Sequence, residues 1–459
     1  MRRTLIGALL LAILSVSVAL AVNAASRDRV YARLIAEGDA AGAGDQPRVA
    51  IEAYSGAIAL KSATMLAYLK RGEIYRRQAE YSEALRDLRE ASRLDPTATR
   101  PLELTGDVNG ALERHARAIE SYEAYLELDK DSPRVLYKLA LARYRIGMTA
   151  AAIVALKKAT AINDRMPEAV YLLGVCLRDQ QQTAEAQGML ERAVALAPTM
   201  APAREALASL YLSVHRDQDA IYQLEALAAL EPTRPERLVA VGLAYARAGN
   251  PDEAVVTLRR VAERYPERPS VYVALGRVWL ETAEARRDRV ALGKAVSALE
   301  GIARDGSATS ETLTLYGRAL LMSGDVTGAQ RALERAAQAL PVDASSLLYL
   351  ATTAERLGRI SVCRDALVRY VALTGDDANA ANRAFRIGDL SARLGEPAVA
   401  ATWFRRSSDL SGGPPATLFR LAEIEARLGH IDAALAAIDQ GLARDPRNAA
   451  LIALRRRLQ

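Results

Sequence analysis

Residues 65–98 read MLAYLKRGEIYRRQAEYSEALRDLREASRLDPTA, and this stretch decides the fold. Counted from Gly72, the residues Ala84, Ala91 and Pro96 stand at +12, +19 and +24. The same offsets carry Gly174, Ala186, Ala193 and Pro198, and again Gly317, Ala329, Ala336 and Pro341. Gly242, Ala254, Val261 and Pro266 depart from the pattern once, and Ala208, Ala220, Leu227 and Pro232 twice. Small residues at these spacings let paired helices approach closely, while larger apolar residues such as Tyr68, Tyr75 and Leu88 fill the gaps. The proline stops the second helix because it cannot donate to the helical ladder. No segment alternates as a strand does. The spacing predicts an all-α chain of helix pairs repeated every 34 residues.

These residues resemble the tetratricopeptide repeat (TPR) family, with Tyr68, Gly72, Tyr75, Ala84, Leu88, Ala91 and Pro96 at motif positions 4, 8, 11, 20, 24, 27 and 32. The resemblance implies a right-handed superhelical α-solenoid of about twelve helix-turn-helix repeats with a C-terminal capping helix. In this phase residues 31–268 hold seven contiguous repeats, and residues 269–309 a repeat with 7 extra residues between its helices. Residues 310–448 hold four further repeats, with spacers Ala378 to Ala380, and residues 449–459 the cap. A length prior of about 150 residues per domain would have divided the chain in three; the repeat replaces this with one array. Asp107-Val108-Asn109-Gly110 is a poor helix sequence and predicts a frayed first helix in the third repeat. Gly42-Ala43-Gly44 predicts irregularity before the second helix of the first repeat, and Ser411-Gly412-Gly413-Pro414-Pro415 an inter-repeat turn.

Of 459 residues 51% are hydrophobic but only 5% aromatic, which excludes wholesale disorder and implies a core of Ala, Leu, Val and Ile. The formal charge of +6 is spread over a nearly balanced surface, without the basic face a nucleic-acid partner needs. Residues 1–25 read as an export segment, with Arg2-Arg3 before an uncharged stretch from Leu5 to Val22 and small residues around Ala24. Two forms stay open: a cleaved signal peptide, or a retained anchor associating with the inner membrane through residues 4–22. Either form places the repeats outside the cytoplasm, periplasmic or anchored to the inner membrane.

Catalytic chemistry has little to stand on. His115, His215 and His430 fall in separate repeats, without metal-ligand spacing, and no nucleophile motif occurs. No catalytic residue, cofactor or metal is predicted. Cys176 and Cys363, five repeats apart, read as small packing residues rather than a disulfide.

The resemblance implies that the first helix of each pair lines a concave groove at positions 2, 5, 9, 12 and 13. Those positions supply Tyr137, Tyr144, Arg145, Tyr171, Arg178, Val239, Leu243, Val273, Arg277, Leu280 and Arg318, then Phe385, Arg393, Phe419 and Arg427. Tyr and Arg are types enriched where partners are gripped. The extra residues of the eighth repeat predict two helices lengthened in phase into a charged ridge bearing Glu281, Glu284, Arg286, Arg287 and Arg289. The function expected is a non-enzymatic scaffold for protein partners on the outer side of a bacterial inner membrane. The alternative is an accessory protein of exopolysaccharide export that contacts glycan or the synthase and pore machinery. Only Trp279 and Trp403 offer glycan platforms, and both sit in packing phases.

Overall fold

The computed structural model describes residues 2–410 and 414–459, with side chains from residue 22 onward. Among the described residues the chain forms twenty-five α-helices and no strand, in two compact units, Met1–His215 and Arg216–Gln459. The first unit runs α1 (Arg2–Ala43), α2 (Pro47–Leu60), α3 (Met65–Arg77), α4 (Tyr81–Leu94), α5 (Thr99–Ala111), α6 (His115–Leu128), α7 (Pro133–Arg145), α8 (Thr149–Ile162), α9 (Pro167–Asp179), α10 (Thr183–Leu196) and α11 (Ala201–Ser213). The second runs α12 (Asp217–Leu230), α13 (Pro235–Arg247), α14 (Pro251–Arg264), α15 (Pro269–Arg286), α16 (Arg289–Ala303), α17 (Ser310–Ser323), α18 (Val326–Ala336), α19 (Ala344–Arg356), α20 (Ile360–Thr374), α21 (Ala380–Arg393), α22 (Pro397–Asp409), α23 (Thr417–Arg427), α24 (Ile431–Arg444) and α25 (Ala449–Leu458). The division falls inside the sixth repeat, between its two helices. The leader reading of residues 1–25 rests mainly on side chains outside the described residues, and residues 411–413 of the inter-repeat turn also lie outside them. Among the described residues no helix is long and apolar enough to cross a membrane.

Within each unit the odd-numbered helix packs on the helix after it, and that helix on the next odd one. The packing stripe explains the 34-residue pattern. Leu258 lies on Gly242, where an added Cβ would come within 2.6 Å of its Cγ, and Leu299 lies on Gly276, where an added Cβ would come within 2.4 Å. Both leucines are fully buried. Proline at the first turn starts α7, α9, α13, α14 and α15, where its missing N–H costs nothing. In the second unit Asp288, Thr309, Asp325, Asp343 and Asn448 cap helices by accepting backbone N–H groups.

Each pair turns on one residue with positive φ. These are Asp45, Ala79, Glu113, Gly147, Gln181 and His215 in the first unit, and Gly249, Arg287, Gly324, Gly358, Gly395 and Gly429 in the second. After α3 the N–H of Glu80 reaches back 2.9 Å to the carbonyl of Tyr75, and after α13 Asn250 does the same to Tyr245. This is a left-handed helix stop, filled by glycine at six of the twelve turns.

Three expectations need correction. α5 is a full 13-residue helix, because Val108 and Asn109 are buried and tertiary packing overrides weak propensity. The glycines after Ala41 leave no irregular stretch: α1 ends at Ala43 and α2 starts at Pro47. The insertion does not lengthen two helices in phase. α15 takes most of it, with 18 residues against 13 in α13, whereas α16 has 15 against 14 in α14. The rest lengthens the link to α17. Thr282 and Ala283 are buried, so one face of the extension is core rather than free ridge.

Candidate interaction grooves

Several odd-numbered helices also touch the next odd helix, as α3 does α5 and α7 does α9 in the first unit, and α13 does α15 and α15 does α17 in the second, so their free faces lie side by side there. In the first unit that surface holds a chain of charges. Glu103, with no exposed surface, receives Arg100, Arg134 and Lys138 at 3.0, 2.5 and 2.7 Å. Lys138 also reaches Asp107 at 2.7 Å, and Tyr122 donates its phenol to Asp107 at 2.9 Å. The same device occurs one repeat pair earlier: Lys70 meets Asp39 at 2.7 Å, and Tyr54 donates to Asp39 at 2.8 Å. Burial, then the hydrogen bond to Asp39, pushes the Tyr54 phenol up. Burial opposes ionisation of Asp39, but Lys70 and Tyr54 outweigh it and hold the carboxyl below its ordinary value.

Tyr137, Lys138, Leu141 and Arg145 on α7 face a hollow of about 630 Å³. Tyr137 is half-buried, and burial raises its phenol pKa. Tyr144 and Arg178 do not stand free: both hold Asp179, at 2.8 and 2.9 Å. Burial, then Asp179, pushes Tyr144 up to about 12. Tyr171 is half-buried, with its phenol also raised by burial.

In the second unit Val239, Leu243, Val273 and Arg277 come together in a hollow of about 720 Å³. The end of α16 and the longer link after it supply further lining, Ile302 from the helix and Asp305 and Thr309 from the link, which position counting along the odd helices missed. Arg277 is ion-paired with Glu311 at the rim. Leu280, by contrast, is fully buried and belongs to the core.

Arg318 is tied to Glu284, Nε to Oε1 at 2.9 Å, and lies over the Tyr349 ring at 5.6 Å. One ridge acid is thereby committed to one groove base. Arg286 lies 3.7 Å from Asp252, and Glu281, Arg287 and Arg289 are exposed. Phe385 and Phe419 are half-buried, each packed on one side against the C-terminal core. Phe385 stands 5.4 Å from the fully buried Phe404 ring, and Phe419 packs on the same cluster. The size of Phe404, seated on Gly388, draws its neighbour inward. Arg393 and Arg427 are exposed in the last turns of α21 and α23, where a cation suits the helix dipole.

Cys176 and Cys363 are free and fully buried. His115 opens α6, His215 occupies a turn, and His430 Nδ1 lies 2.8 Å from Glu425 Oε2. Among the described residues no group of His, Cys, Asp and Glu could hold a metal ion.

Two family models, both described as tetratricopeptide repeat, match the sequence: one over residues 35–99, 69–133, 103–167, 137–201 and 315–361, the other over 235–278. Comparison with curated proteins gives no match. Among solved structures, yeast Tom70 is 15% identical, with 93% of this chain and 99% of that chain covered and a TM-score of 0.42. YrrB, titled a TPR protein with an unusual peptide-binding site, is 21% identical over 41% of this chain and 98% of its own, TM-score 0.37. Pseudomonas aeruginosa PilF is 18% identical over 45% and 94%, TM-score 0.38. With repeat models spanning more than half of the sequence and the same two-helix unit recurring through both halves, the chain belongs to the tetratricopeptide repeat family.

Proposed function

We propose that this TPR protein, an interaction scaffold, holds extended segments of partner proteins on its odd-helix faces, on the outer side of a bacterial inner membrane. The observation that carries the reading is the second unit's hollow. Val239, Leu243 and Val273 line about 720 Å³ of it beneath an Arg277–Glu311 rim, an apolar floor with a polar edge, as partner-gripping surfaces are built. The outer location rests on Arg2-Arg3 and the uncharged stretch after them. A role in exopolysaccharide export through glycan contact draws less support. Trp279 and Trp403 are half-buried, with Lys294 over one ring at 4.3 Å and Arg406 over the other at 5.4 Å.

Co-purification from cells, quantified by mass spectrometry, tests the reading. A defined partner set should fall about tenfold with Val273→Arg, the loss expected at a buried anchor, while thermal melting stays unchanged. Retention of the same set by V273R refutes the groove. Protease protection of the repeats in intact cells, lost on opening the outer membrane, tests the location; digestion only after the inner membrane is broken refutes it.

A further inference from the structure

This inference rests on the scaffold reading and assigns a partner chemistry to the first unit. The hollow between α3, α5 and α7 exists because Gly110 and Ala111 lie where larger side chains would fill the space between Arg76 and Arg145. A Cβ added at Gly110 would meet nothing within 4 Å.

Four cations on the same helices are already paired. Arg71 holds Asp87, Arg100 holds Glu73, Arg134 holds Glu103 and Lys70 holds Asp39. The two guanidinium groups lining the hollow differ. Among the described residues neither Arg76 nor Arg145 makes an ion pair or a hydrogen bond through its side chain, and the Nε of Arg76 is buried without a partner. The carboxylates present do not satisfy them. Asp107 is occupied by Lys138 at 2.7 and 2.8 Å and by the Tyr122 phenol. Glu113, on the exposed turn after α5, forms no ion pair among the described residues. Arg76 is half-buried and its unpartnered Nε is costly, whereas Arg145 is exposed and free to turn toward a ligand; the natural complement of either is a planar carboxylate taken by two N–H donors at once.

We propose that this hollow binds an acidic segment of a partner protein, its Asp or Glu carboxylates taken by Arg76 and Arg145, its neighbouring residues against Tyr137 and Leu141. The site is separate from the apolar hollow of the second unit, so the two halves of the chain select different features of a partner. Glu113, which also lines the hollow, carries the same charge as such a segment, so its carboxylate opposes binding.

Fluorescence anisotropy on the full chain tests this, with a short labelled peptide of alternating Glu and Gly against its Gln and Gly counterpart. The Glu peptide should bind, weaken with added salt, and exceed the Gln peptide by at least about tenfold. Arg76→Gln and Arg145→Gln should each weaken it by about tenfold, and Glu113→Gln should tighten it. Gly110→Phe should abolish binding with helical circular dichroism and melting unchanged, which keeps the test independent of misfolding. Equal affinity for the two peptides, undiminished binding by the R76Q/R145Q double variant, or no binding of the Glu peptide overturns the proposal. Tighter binding of an oligonucleotide at the same arginines also overturns it, since the partner would then be phosphate-bearing. Partner loss on Val273→Arg reports on the second unit, so failure here is distinguishable from failure of the scaffold reading.

Discussion

Lys138 Nζ lies 2.7 Å from the Oε1 of Glu103, a carboxylate with no exposed surface. One ammonium on α7 thereby secures an acid on α5, and through Asp107 a tyrosine on α6. Lys138→Met should cost about 2 kcal/mol by chemical denaturation, the scale of a lost hydrogen bond to a buried charge. Lys138→Met with Glu103→Met should cost less than the single variant, because no buried carboxylate is left short of a partner.

The same relationship sets a pH dependence. Burial alone would raise the Glu103 pKa, but the hydrogen bond from Lys138 and the charges of Lys138, Arg134 and Arg100 outweigh it, and the carboxyl is held below its ordinary value. Its stabilisation is therefore complete above the unfolded value near 4.5 and is lost as pH falls through the lower native value. Glu103→Gln should flatten this acid limb of the stability profile, and an unchanged slope would contradict the assignment.

The turn residues predict opposite effects from opposite substitutions. Ala79 sits at φ 59 and Gly249 at φ 80. Ala79→Gly should stabilise the first unit by about 0.5–1 kcal/mol, and Gly249→Ala should destabilise the second by about 1 kcal/mol. Urea titration of each variant checks both signs.

Glycine at the helix contact behaves differently from glycine at the hollow. Gly276→Ala would drive a Cβ to 2.4 Å from Leu299 Cγ and should cost about 1–3 kcal/mol by overpacking. Gly110→Ala meets nothing and should be neutral or gain up to about 0.5 kcal/mol from helix propensity. The pair compared in one melting series separates packing from backbone effects.

Both thiols should resist labelling in the native state. Burial, then Asp179, pushes Cys176 up to about 12, and burial raises Cys363. A thiol reagent should modify neither under native conditions at neutral pH and both in guanidinium; peptide mapping should find no bridge between them.

The repeat was legible because one contact stripe recurs. Small residues such as Gly242 under Leu258 cannot vary without a clash, so they keep time along the sequence. That Val239, Leu243, Val273 and Arg277 share one face was legible for the same reason, since position within the helix sets which way they point. The contact of Phe385 with Phe404 on the next helix was not legible, because position counting holds no side-chain size. The insertion was misplaced because helix propensity does not say which element absorbs added residues. The pairing of Lys138 with Asp107 does have a counterpart in the sequence. Gly38, Asp39, Tyr54 and Lys70 recur as Gly106, Asp107, Tyr122 and Lys138 at identical offsets. The hollow between Arg76 and Arg145 has no such signal, since it is a space left by Gly110 and Ala111 rather than a residue pattern.

Site-specific photo-crosslinking in intact cells tests the scaffold reading most directly, comparing a reactive residue at Val273 inside the second unit's hollow with one at Val256, 59% exposed on α14. The scaffold account predicts a defined protein adduct from Val273 and none from Val256. An adduct from Val256 with none from Val273 would contradict it.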